Sequence, residues 1–335
     1  MIVKNEEEIL ARCLDSFSSL FDEIVIVDTG SHDSTKEIAR RYTDRVYDFI
    51  WCDDFSAARN YAFSLCTCDY VYSCDADEVL DQTNLKRFEQ LKFAMMPEVE
   101  IVQMKYVEKN STVLNSISEY RPKLFKRVRS FVWEDPVHET VRLDPVVFDS
   151  DIEILHLPNG SHHSSRDFRI FKAEYEKNHR LSRNLYRMYA IELLKCGNTD
   201  ELEDAVEVFT DRMEMEDIDD EALIIALCVL SRAYRLKTEW QDMLSCALKA
   251  FSLDIEVPAE IHYDLGIFYL YKQDYKEAVE HFSNALQNCA PMLDIHTGGN
   301  LPLLGLAECA DACGDAAAAK NYRVMAENWT LPEGD

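Results

Sequence analysis

The sequence changes character once, at residues 158–160. Before this point, short runs rich in β-branched and aromatic residues alternate with amphipathic runs of helical spacing, a pattern typical of a mostly parallel sheet covered by helices. After it, nearly every segment has helical periodicity. The sequence therefore predicts two folded units, and a chain of 335 residues with 47% hydrophobic content is long enough to build a core for each.

The first half consists of short elements. We predict strands over residues 1–3, 23–28, 45–50 and 70–74 and helices over residues 6–20, 34–42 and 56–65. Between residues 98 and 157, strand patterns follow one another without long helices, which predicts an antiparallel extension of the sheet. Polar clusters follow several of these strands, at the edge of the sheet where open α/β folds bind ligands.

The helical half contains an internal repeat. Six residues stand at the relative positions of the tetratricopeptide signature, namely Leu265, Gly266, Tyr269, Ala278, Phe282 and Ala285. A weaker copy lies 35 residues earlier and a still weaker one 41 residues later. The small residue Gly266 lets two helices approach each other. Because neighbouring hairpins must stack to bury a continuous core, the degenerate copies support the assignment.

The net charge limits the partners of the chain. Its 62 acidic and 35 basic residues give a formal net charge of −27, which argues against a nucleic-acid partner. An anionic substrate would need a bound cation and local Arg or Lys residues. The sequence has no run of ~20 apolar residues, no signal-peptide pattern at its start and eleven scattered cysteines. These features predict a cytoplasmic protein with free thiols and no membrane span.

The most informative local pattern is a strand that runs into three carboxylates. Residues 70–74 are followed by Asp75, Asp77 and Glu78. Like charges at a strand end repel each other unless a cation or hydrogen-bond donors offset them. The pattern therefore favours a divalent metal ion that bridges carboxylate oxygens and a diphosphate. A solvated acidic turn is the alternative interpretation.

Two further polar clusters follow predicted strands. In the first, Asp28 is a candidate to hydrogen-bond a ribose or a base, and Asp33 or Ser34 is expected to cap the next helix. The second cluster opens the helix over residues 56–65.

This helix is expected to begin with Ser56 as its cap and Phe55 as a hydrophobic staple. Arg59 and Asn60 follow within one turn, and both could face the same nucleotide pocket.

Taken together, these clusters resemble the successive motifs of family 2 glycosyltransferases. The motifs stand in the family's order at residues 2–8, 27–35, 53–60 and 74–80. The segments RPKLFKR, at 121–127, and VHE, at 137–139, resemble a subgroup of lipopolysaccharide-core and peptide-modifying transferases, some of which carry C-terminal tetratricopeptide-like helices. The resemblance covers about residues 1–160. It implies an α/β domain of the GT-A fold, which is Rossmann-like with a mixed sheet, followed by an all-α tetratricopeptide-like domain.

The implied domain organisation has three parts. Residues 1–160 would be the catalytic domain that binds the nucleotide-sugar, and residues 181–335 would be the helical repeats. Residues 161–180 would be a linker or a lid helix over the donor, with His162 and Arg166 as the residues that contact it if it closes.

The resemblance also implies roles for the acidic residues. Asp77 would ligate Mn²⁺ or Mg²⁺ directly, Asp75 would bind the metal closer to the ribose, and His156 would be a third ligand or a structural histidine. Asp28 and Arg59 would line the nucleoside. Each role depends on the likeness to the family.

Family 2 enzymes invert the anomeric centre, which implies direct displacement with one base. Glu139 is the leading candidate for that base and Asp135 the reserve, while His138 would orient the base or help to hold phosphate. Arg121 and Lys123, which strand alternation sends to the same face, would neutralise the departing diphosphate.

The sequence leaves three functions open. The first is a hexosyl- or N-acetylhexosaminyltransferase that moves a sugar, from UDP-glucose or UDP-N-acetylglucosamine as the family-level guess, to a peptide or protein docked on the repeats. The second is an envelope enzyme that acts on a glycan or lipopolysaccharide. The third is an inactive scaffold in which the repeats bind proteins. The repeats could also join two copies of the chain into a homodimer.

Overall fold

The computed structural model describes residues 1–108, 119–141, 145–158 and 165–330. Its first compact unit extends to His162 and its second comprises His163–Thr330. Within the described ranges no helix is both long and apolar enough to cross a membrane. The predicted lid residue His162 lies outside the described residues.

The first unit contains ten strands and four α-helices among its described residues. The strands are β1 Ile2–Val3, β2 Ile26–Asp28, β3 Val46–Asp48, β4 Tyr70–Tyr72, β5 Glu78–Val79, β6 Ile101–Glu108, β7 Glu119–Lys126, β8 Trp133–Glu134, β9 Thr140–Val141 and β10 Val147–His156. The helices are α1 Leu10–Phe17, α2 Thr35–Ala39, α3 Phe55–Leu65 and α4 Gln82–Ala94.

These strands form three sheets. The first is parallel in the order β1-β2-β3, the second is mixed in the order β4-β7-β6-β10-β5, and the third pairs β8 with β9. In the mixed sheet only β6 and β10 are parallel, whereas the other pairs are antiparallel. The predicted α/β fold with a mixed sheet and an antiparallel extension is confirmed. The prediction of a mostly parallel sheet holds only for the first three strands, because β7 lies between β4 and β6 and runs antiparallel to both.

Helix α1 shows why the first unit folds as it does. Its buried residues Leu10, Cys13, Leu14 and Phe17 recur at the spacing of one helix face. This face belongs to the main core cluster of the unit, which also includes Phe88 of α4. Helix α4 itself was not predicted from the sequence.

The second unit is entirely helical in the described residues. Its α-helices are α5 Ser165–Asn178, α6 Arg183–Cys196, α7 Thr199–Glu214, α8 Asp220–Leu236, α9 Trp240–Phe251, α10 Ala259–Tyr271, α11 Tyr275–Gln287, α12 Asn300–Ala312 and α13 Ala316–Glu327. The second helices of the last three hairpins begin at Trp240, Tyr275 and Ala316, which are 35 and 41 residues apart. These are the two intervals of the predicted repeat, so the structure confirms its register.

Helix α5 covers most of the segment predicted to be a linker or lid. Its residues Phe168 and Phe171 pack on the ring of Tyr189 in α6, with centroids 6.1 and 4.7 Å away. Arg166 lies at the start of α5 and contacts Asp167 at 2.9 Å. In the described part of the segment, aromatic packing therefore joins α5 to the helix that follows it.

The second unit contains a contact between a buried and a half-buried imidazole. His262 of α10 and His281 of α11 face each other with their Nδ1 atoms 3.0 Å apart. Burial, together with the neighbouring His281, lowers the pKa of His262 to about 4. Burial also lowers the pKa of His281. Both rings are therefore neutral in the folded protein at pH 7.

We expect the free energy of unfolding to fall as the pH is lowered from about 6.5 to about 4. The unfolded chain then protonates His262 while the folded chain does not, so protons favour unfolding. Protonation of His262 costs no stability above pH 6.5, and by pH 4 the loss of unfolding free energy reaches about 3 kcal/mol, taken at about 1.4 kcal/mol per pKa unit. Urea unfolding followed by circular dichroism between pH 7 and 4.5 should show a smaller decline for His262→Gln. The exposed His32→Gln should decline as the wild type does, and equal declines for all three would contradict the prediction.

Candidate functional site

The three predicted carboxylates lie where β4 leads into β5. We refer to residues 74–77 as the acidic turn. Oδ1 of Asp75 lies 3.4 Å from Nη2 of Arg59, and its Oδ2 lies 3.9 Å from Nζ of Lys123. Burial alone would raise the pKa of Asp75, but Arg59 and Lys123 outweigh it and lower the pKa to about 2. Asp75 is therefore an anion held between two protein cations.

Arg59 contacts more residues of the site than one ion pair would require. Its Nε donates to Oε1 of Glu139 at 2.7 Å, its Nη2 lies 2.6 Å from the same oxygen, and its Nη1 donates to Oγ of Ser73 at 2.7 Å. The guanidinium also lies 4.9 Å from the ring centroid of Trp133. Burial alone would lower the pKa of Arg59, but Asp75 and Glu139 raise it above its ordinary value. Segments far apart in sequence thus meet at one cation.

The start of α3 fixes the position of Arg59. Asp54, and not the expected Ser56, is the N-cap, because its Oδ1 accepts from the backbone N–H of Ala57 at 2.9 Å. Ser56 instead donates its hydroxyl to the same oxygen at 2.8 Å. The carboxylate of Asp54 accepts hydrogen bonds more strongly than a hydroxyl does, and it lies one residue outside the helix, where an N-cap belongs.

The turn between β8 and β9 brings Glu139 to Arg59. Asn60 clamps β8 by exchanging two hydrogen bonds with the backbone of Trp133, at 2.9 and 2.8 Å. The carbonyl of Pro136 accepts from the N–H of Phe55 at 2.8 Å, which ties the same turn to the start of α3. Asp135 and His138 adopt positive φ angles of 72° and 49° in this turn. Two non-glycine residues with left-handed backbone within four positions are uncommon and mark a tightly constrained segment.

Lys123 lies beneath the acidic turn. Its Nζ contacts Oε1 of Glu78 and lies 3.3 Å from the carbonyl oxygen of Ser73. Burial raises the pKa of Glu78, and Lys123 opposes this effect. Burial alone would lower the pKa of Lys123, but Glu78 and Asp75 raise it. Lys123 therefore remains an ammonium ion although its side chain is buried.

Asp77 and His156 form a second pair in the acidic turn. Nε2 of His156 lies 3.0 Å from Oδ2 of Asp77, because β10 pairs with β5 and the N–H of Leu157 donates to the carbonyl of Asp77 at 2.8 Å. Oδ1 of Asp77 is buried and has no hydrogen-bond partner among the described residues. The part of the chain that the structure describes contains no group of three or more His, Cys, Asp or Glu side chains that could hold a metal ion by itself.

Tyr106 of β6 lies beside both Lys123 and His156. It was not predicted from the sequence as a site residue. Its ring lies 3.8 Å from the guanidinium of Arg121, 5.8 Å from Nζ of Lys123 and 5.0 Å from the imidazole centroid of His156. Arg121 is exposed, whereas Lys123 is buried. The two predicted cations thus lie near the same ring but differ in access to solvent.

Asp28 belongs to a separate cluster at the ends of β2 and β3. Its Oδ1 accepts from the N–H groups of Gly30 and Ser31 at 3.0 and 2.9 Å and lies 3.6 Å from Nζ of Lys36. Gly30 has a φ of 105°, which favours glycine at this position. Oδ2 of Asp28 is buried and lacks a hydrogen-bond partner within the described residues.

The motifs at residues 2–8 and 27–35 hold each other in place. Asn5 accepts from the N–H of His32 at 2.8 Å and donates its own N–H to the hydroxyl of Ser31 at 2.9 Å. Glu7 accepts from the N–H of Ser34 at 3.0 Å. Ser34 precedes α2 but makes no side-chain cap. These polar residues therefore build the loops that position Asp28.

The structure thus brings Arg59, Asp75, Lys123 and Glu139 into one network and Asp77 and His156 into one pair. The sequence did not predict the role of Ser73, nor the pairing of Lys123 with Glu78 beneath the acidic turn. A serine directly before the acidic segment is only a weak indication in the sequence of the contact between Ser73 and Arg59. The position of Tyr106 depends on strand register, for which the sequence contains no local signal.

Both parts of the chain are similar to known sequence families. Residues 1–142 match the sequence model of glycosyl transferase family 2, and residues 190–313 match that of the TPR repeats of Integrator complex subunit 8. A TPR repeat-containing protein of Synechococcus elongatus is 46% identical over 80 residues, which are 24% of this chain and 20% of the relative.

Two further relatives are named as glycosyltransferases. An uncharacterized glycosyltransferase of Rickettsia typhi is 28% identical over 46% of this chain and 54% of its own length. The SPbeta prophage-derived glycosyltransferase SunS of Bacillus subtilis is 27% identical over 56% of this chain and 44% of its own length. The chain thus spans about half the length, or less, of these curated relatives.

Solved structures show a weaker likeness. TarS 1–349 of S. aureus aligns with a TM-score of 0.38 and 13% identity over 89% of this chain and 93% of its own. Glucosyl-3-phosphoglycerate synthase from Mycobacterium tuberculosis, solved with Mn²⁺ and UDP-glucose, aligns with a TM-score of 0.38 and 12% identity over 54% of this chain and 78% of its own. By sequence, residues 1–142 of this chain thus match glycosyl transferase family 2, and residues 190–313 match TPR repeats.

Proposed function

We propose that the chain is an inverting, metal-dependent glycosyltransferase that moves a sugar from a UDP-sugar to a peptide or protein acceptor. Residues 1–160 would form its catalytic domain. The observation that carries the proposal is the buried, unpartnered Oδ1 of Asp77 within the described residues, next to the imidazole of His156. A carboxylate oxygen without a donor at the end of a buried strand is costly unless a cation occupies the position beside it.

The acidic turn fits a divalent ion that keeps open positions for a diphosphate. Mg²⁺ and Mn²⁺ commonly take one or two protein ligands and complete their shell with phosphate oxygens and water. Adjacent ligand atoms around such an ion lie about 3 Å apart, and Asp77 and His156 are 3.0 Å apart. Asp75 faces Arg59 and Lys123 instead, so Asp77 and His156 are the better candidates for ligands. The metal would neutralise charge on the departing diphosphate.

The cluster at Asp28 is suited to a uracil ring. Its free Oδ2 is a buried acceptor, and Nζ of Lys36 lies 3.6 Å from Oδ1. Uracil presents one N–H flanked by two carbonyl oxygens, whereas the same position of cytosine is an acceptor. A carboxylate beside an ammonium group therefore favours uracil.

Glu139 is the proposed base, with Asp135 as the alternative. Both contacts of Glu139 with Arg59 involve Oε1, so its other oxygen is not held by Arg59. Arg121, which is exposed beside Tyr106, is the better candidate to contact the diphosphate, because Lys123 is buried against Glu78.

The helical repeats would dock the acceptor. Stacked hairpins form extended surfaces that suit a polypeptide. Incubation of peptide and glycan acceptors with the active donor distinguishes this proposal from an envelope glycan enzyme. Sedimentation would test the homodimer that we also propose for the repeats.

The donor proposal is tested by calorimetric titration of the full chain with UDP, CDP, GDP and ADP and their sugars, in Mn²⁺ and in EDTA. We expect UDP and UDP-sugars to bind only with Mn²⁺. Asp77→Asn should weaken Mn²⁺-dependent UDP binding at least tenfold, or about 1.4 kcal/mol, because it removes the charge of a direct ligand.

Asp151→Asn is the matched control. Asp151 lies on the same strand as His156 but is exposed and contacts only the surface residue Lys105 among its ion pairs in the described chain. It should bind UDP as the wild type does. Binding that is equal in Mn²⁺ and EDTA, or unchanged in Asp77→Asn, would refute a metal site in the acidic turn.

A further inference from the structure

Lys123 contacts both ends and the middle of the segment that carries the acidic turn. Its side chain is 6% exposed and pairs with Glu78, which is 1% exposed. Its Nζ also lies 3.3 Å from the carbonyl oxygen of Ser73 and 3.9 Å from Oδ2 of Asp75. One ammonium group therefore holds the residue before the turn, a residue within it and the residue after it.

A bulge in β7 aims Lys123 at this position. Leu124 pairs with Val102 and Pro122 pairs with Gln103, so Lys123 is the extra residue between them. A proline has no N–H for the ladder, which is why such irregularities accompany it. The N–H of Ser73 donates to the carbonyl of Lys123 at 2.8 Å. The bulge thus fastens the backbone of β7 to the end of β4.

Glu78 acts on the turn from the other side. Its Oε2 accepts from the backbone N–H of Asp75 at 3.4 Å, while its Oε1 contacts Lys123. The pair therefore fixes Asp75 through its backbone and through its carboxylate. Arg59 alone would hold Asp75 less firmly, since its contacts to Asp75 are 3.4 and 3.5 Å and those to Glu139 are 2.6 and 2.7 Å.

We propose that Lys123 and Glu78 are positioning residues whose buried ion pair holds the acidic turn in its metal-binding and diphosphate-binding conformation. This inference rests on the proposed function. It gives Lys123 a different role from that of a phosphate ligand, because its Nζ is already engaged by Glu78, by the carbonyl of Ser73 and by Asp75. Asp77 is then positioned through the turn that it shares with Asp75.

The test separates stability from binding. Lys123→Met leaves Glu78 buried without its countercharge and is expected to lower the unfolding midpoint. The double variant Lys123→Met/Glu78→Gln removes both charges, so most of the unfolding midpoint should return. We expect this double variant still to bind UDP in Mn²⁺ at least tenfold more weakly than the wild type. Lys105→Met, which breaks an ion pair with the exposed Asp151, is the control and should change neither quantity.

Equal UDP affinity in the double variant and the wild type would overturn the inference, because the pair would then serve stability alone. If the wild type binds no UDP, the proposed function fails, and a crystal structure of the double variant decides the inference separately. Loss of the contact between Asp75 and Arg59 would support a positioning role. An acidic turn that superposes on the wild type would reject it.

Discussion

Arg59→Met is expected to lower the free energy of unfolding by about 3–5 kcal/mol and to abolish the proposed sugar transfer. Arg59 is 12% exposed, and Glu139, which it contacts at 2.6 Å, is 12% exposed as well. Removal of the cation leaves the carboxylate of Glu139 desolvated without its countercharge, and it takes from Asp75, which is 40% exposed, one of its two cations. It also releases Ser73 and the ring of Trp133, so the acidic turn and the turn with Glu139 lose their common support.

The matched control is Arg129→Met in the same unit. Arg129 contacts Glu100 at 2.7 Å, which is similar to the distance at Arg59. Glu100 is 13% exposed, but Arg129 is 49% exposed, and Glu100 keeps a hydrogen bond from the N–H of Val146 when Arg129 is removed. An ion pair with a solvent-exposed cation contributes about 0–1 kcal/mol. Urea unfolding followed by tryptophan fluorescence should therefore leave Arg129→Met near the wild type and shift Arg59→Met strongly.

A double variant shows whether charge or packing is responsible. Arg59→Met/Glu139→Gln removes the buried carboxylate together with its partner and should recover most of the lost stability without recovering activity. If Arg59→Met and Arg129→Met unfold at the same urea concentration, the buried network does not stabilise the first unit. If the double variant is no more stable than Arg59→Met, the loss comes from packing on Trp133 and not from charge.

Features that are contiguous in the sequence could be predicted. The acidic turn follows directly from a strand pattern that ends in carboxylates, and Arg59 lies in one motif with the start of its helix. The pairing of Arg59 with Glu139 could not be predicted, because it joins residues that are 80 positions apart and depends on how the turn after β8 meets α3. The burial of Lys123 depends on a bulge, which no local pattern of charge indicates.

Helix α4 escaped prediction for a physical reason. Only Asn84 and Phe88 among its residues are buried, so its sequence lacks a clear apolar stripe. The helix is instead fixed at its start by Asp81, whose side chain accepts from two backbone N–H groups. In the repeats the opposite holds, because buried small residues recur at the same relative positions in successive hairpins, so the register could be read from the sequence.

Phe282 shows how closely those repeats pack, and Phe282→Ala is expected to cost about 3–5 kcal/mol of the second unit's stability. Its ring is fully buried between Gly266 of α10 and Gly305 of α12. A Cβ atom at Gly266 or Gly305 would lie 2.5 or 2.4 Å from this ring, so neither position accepts a side chain while the phenyl group is present. Leu248→Ala, at an exposed site on α9, should change the stability by no more than about 0.5 kcal/mol.

The contact predicts a change of sign in a double-mutant cycle. Gly305→Ala alone should destabilise by about 1–3 kcal/mol, because the methyl group overlaps the phenyl ring. In the Phe282→Ala background the same methyl group enters empty space, and alanine favours the helix over glycine by about 1 kcal/mol. Gly305→Ala should then stabilise, so the two substitutions are strongly coupled. Urea unfolding followed by circular dichroism measures all four proteins. Additive effects would mean that α12 does not rest on Phe282, and that the hairpins are joined through other contacts.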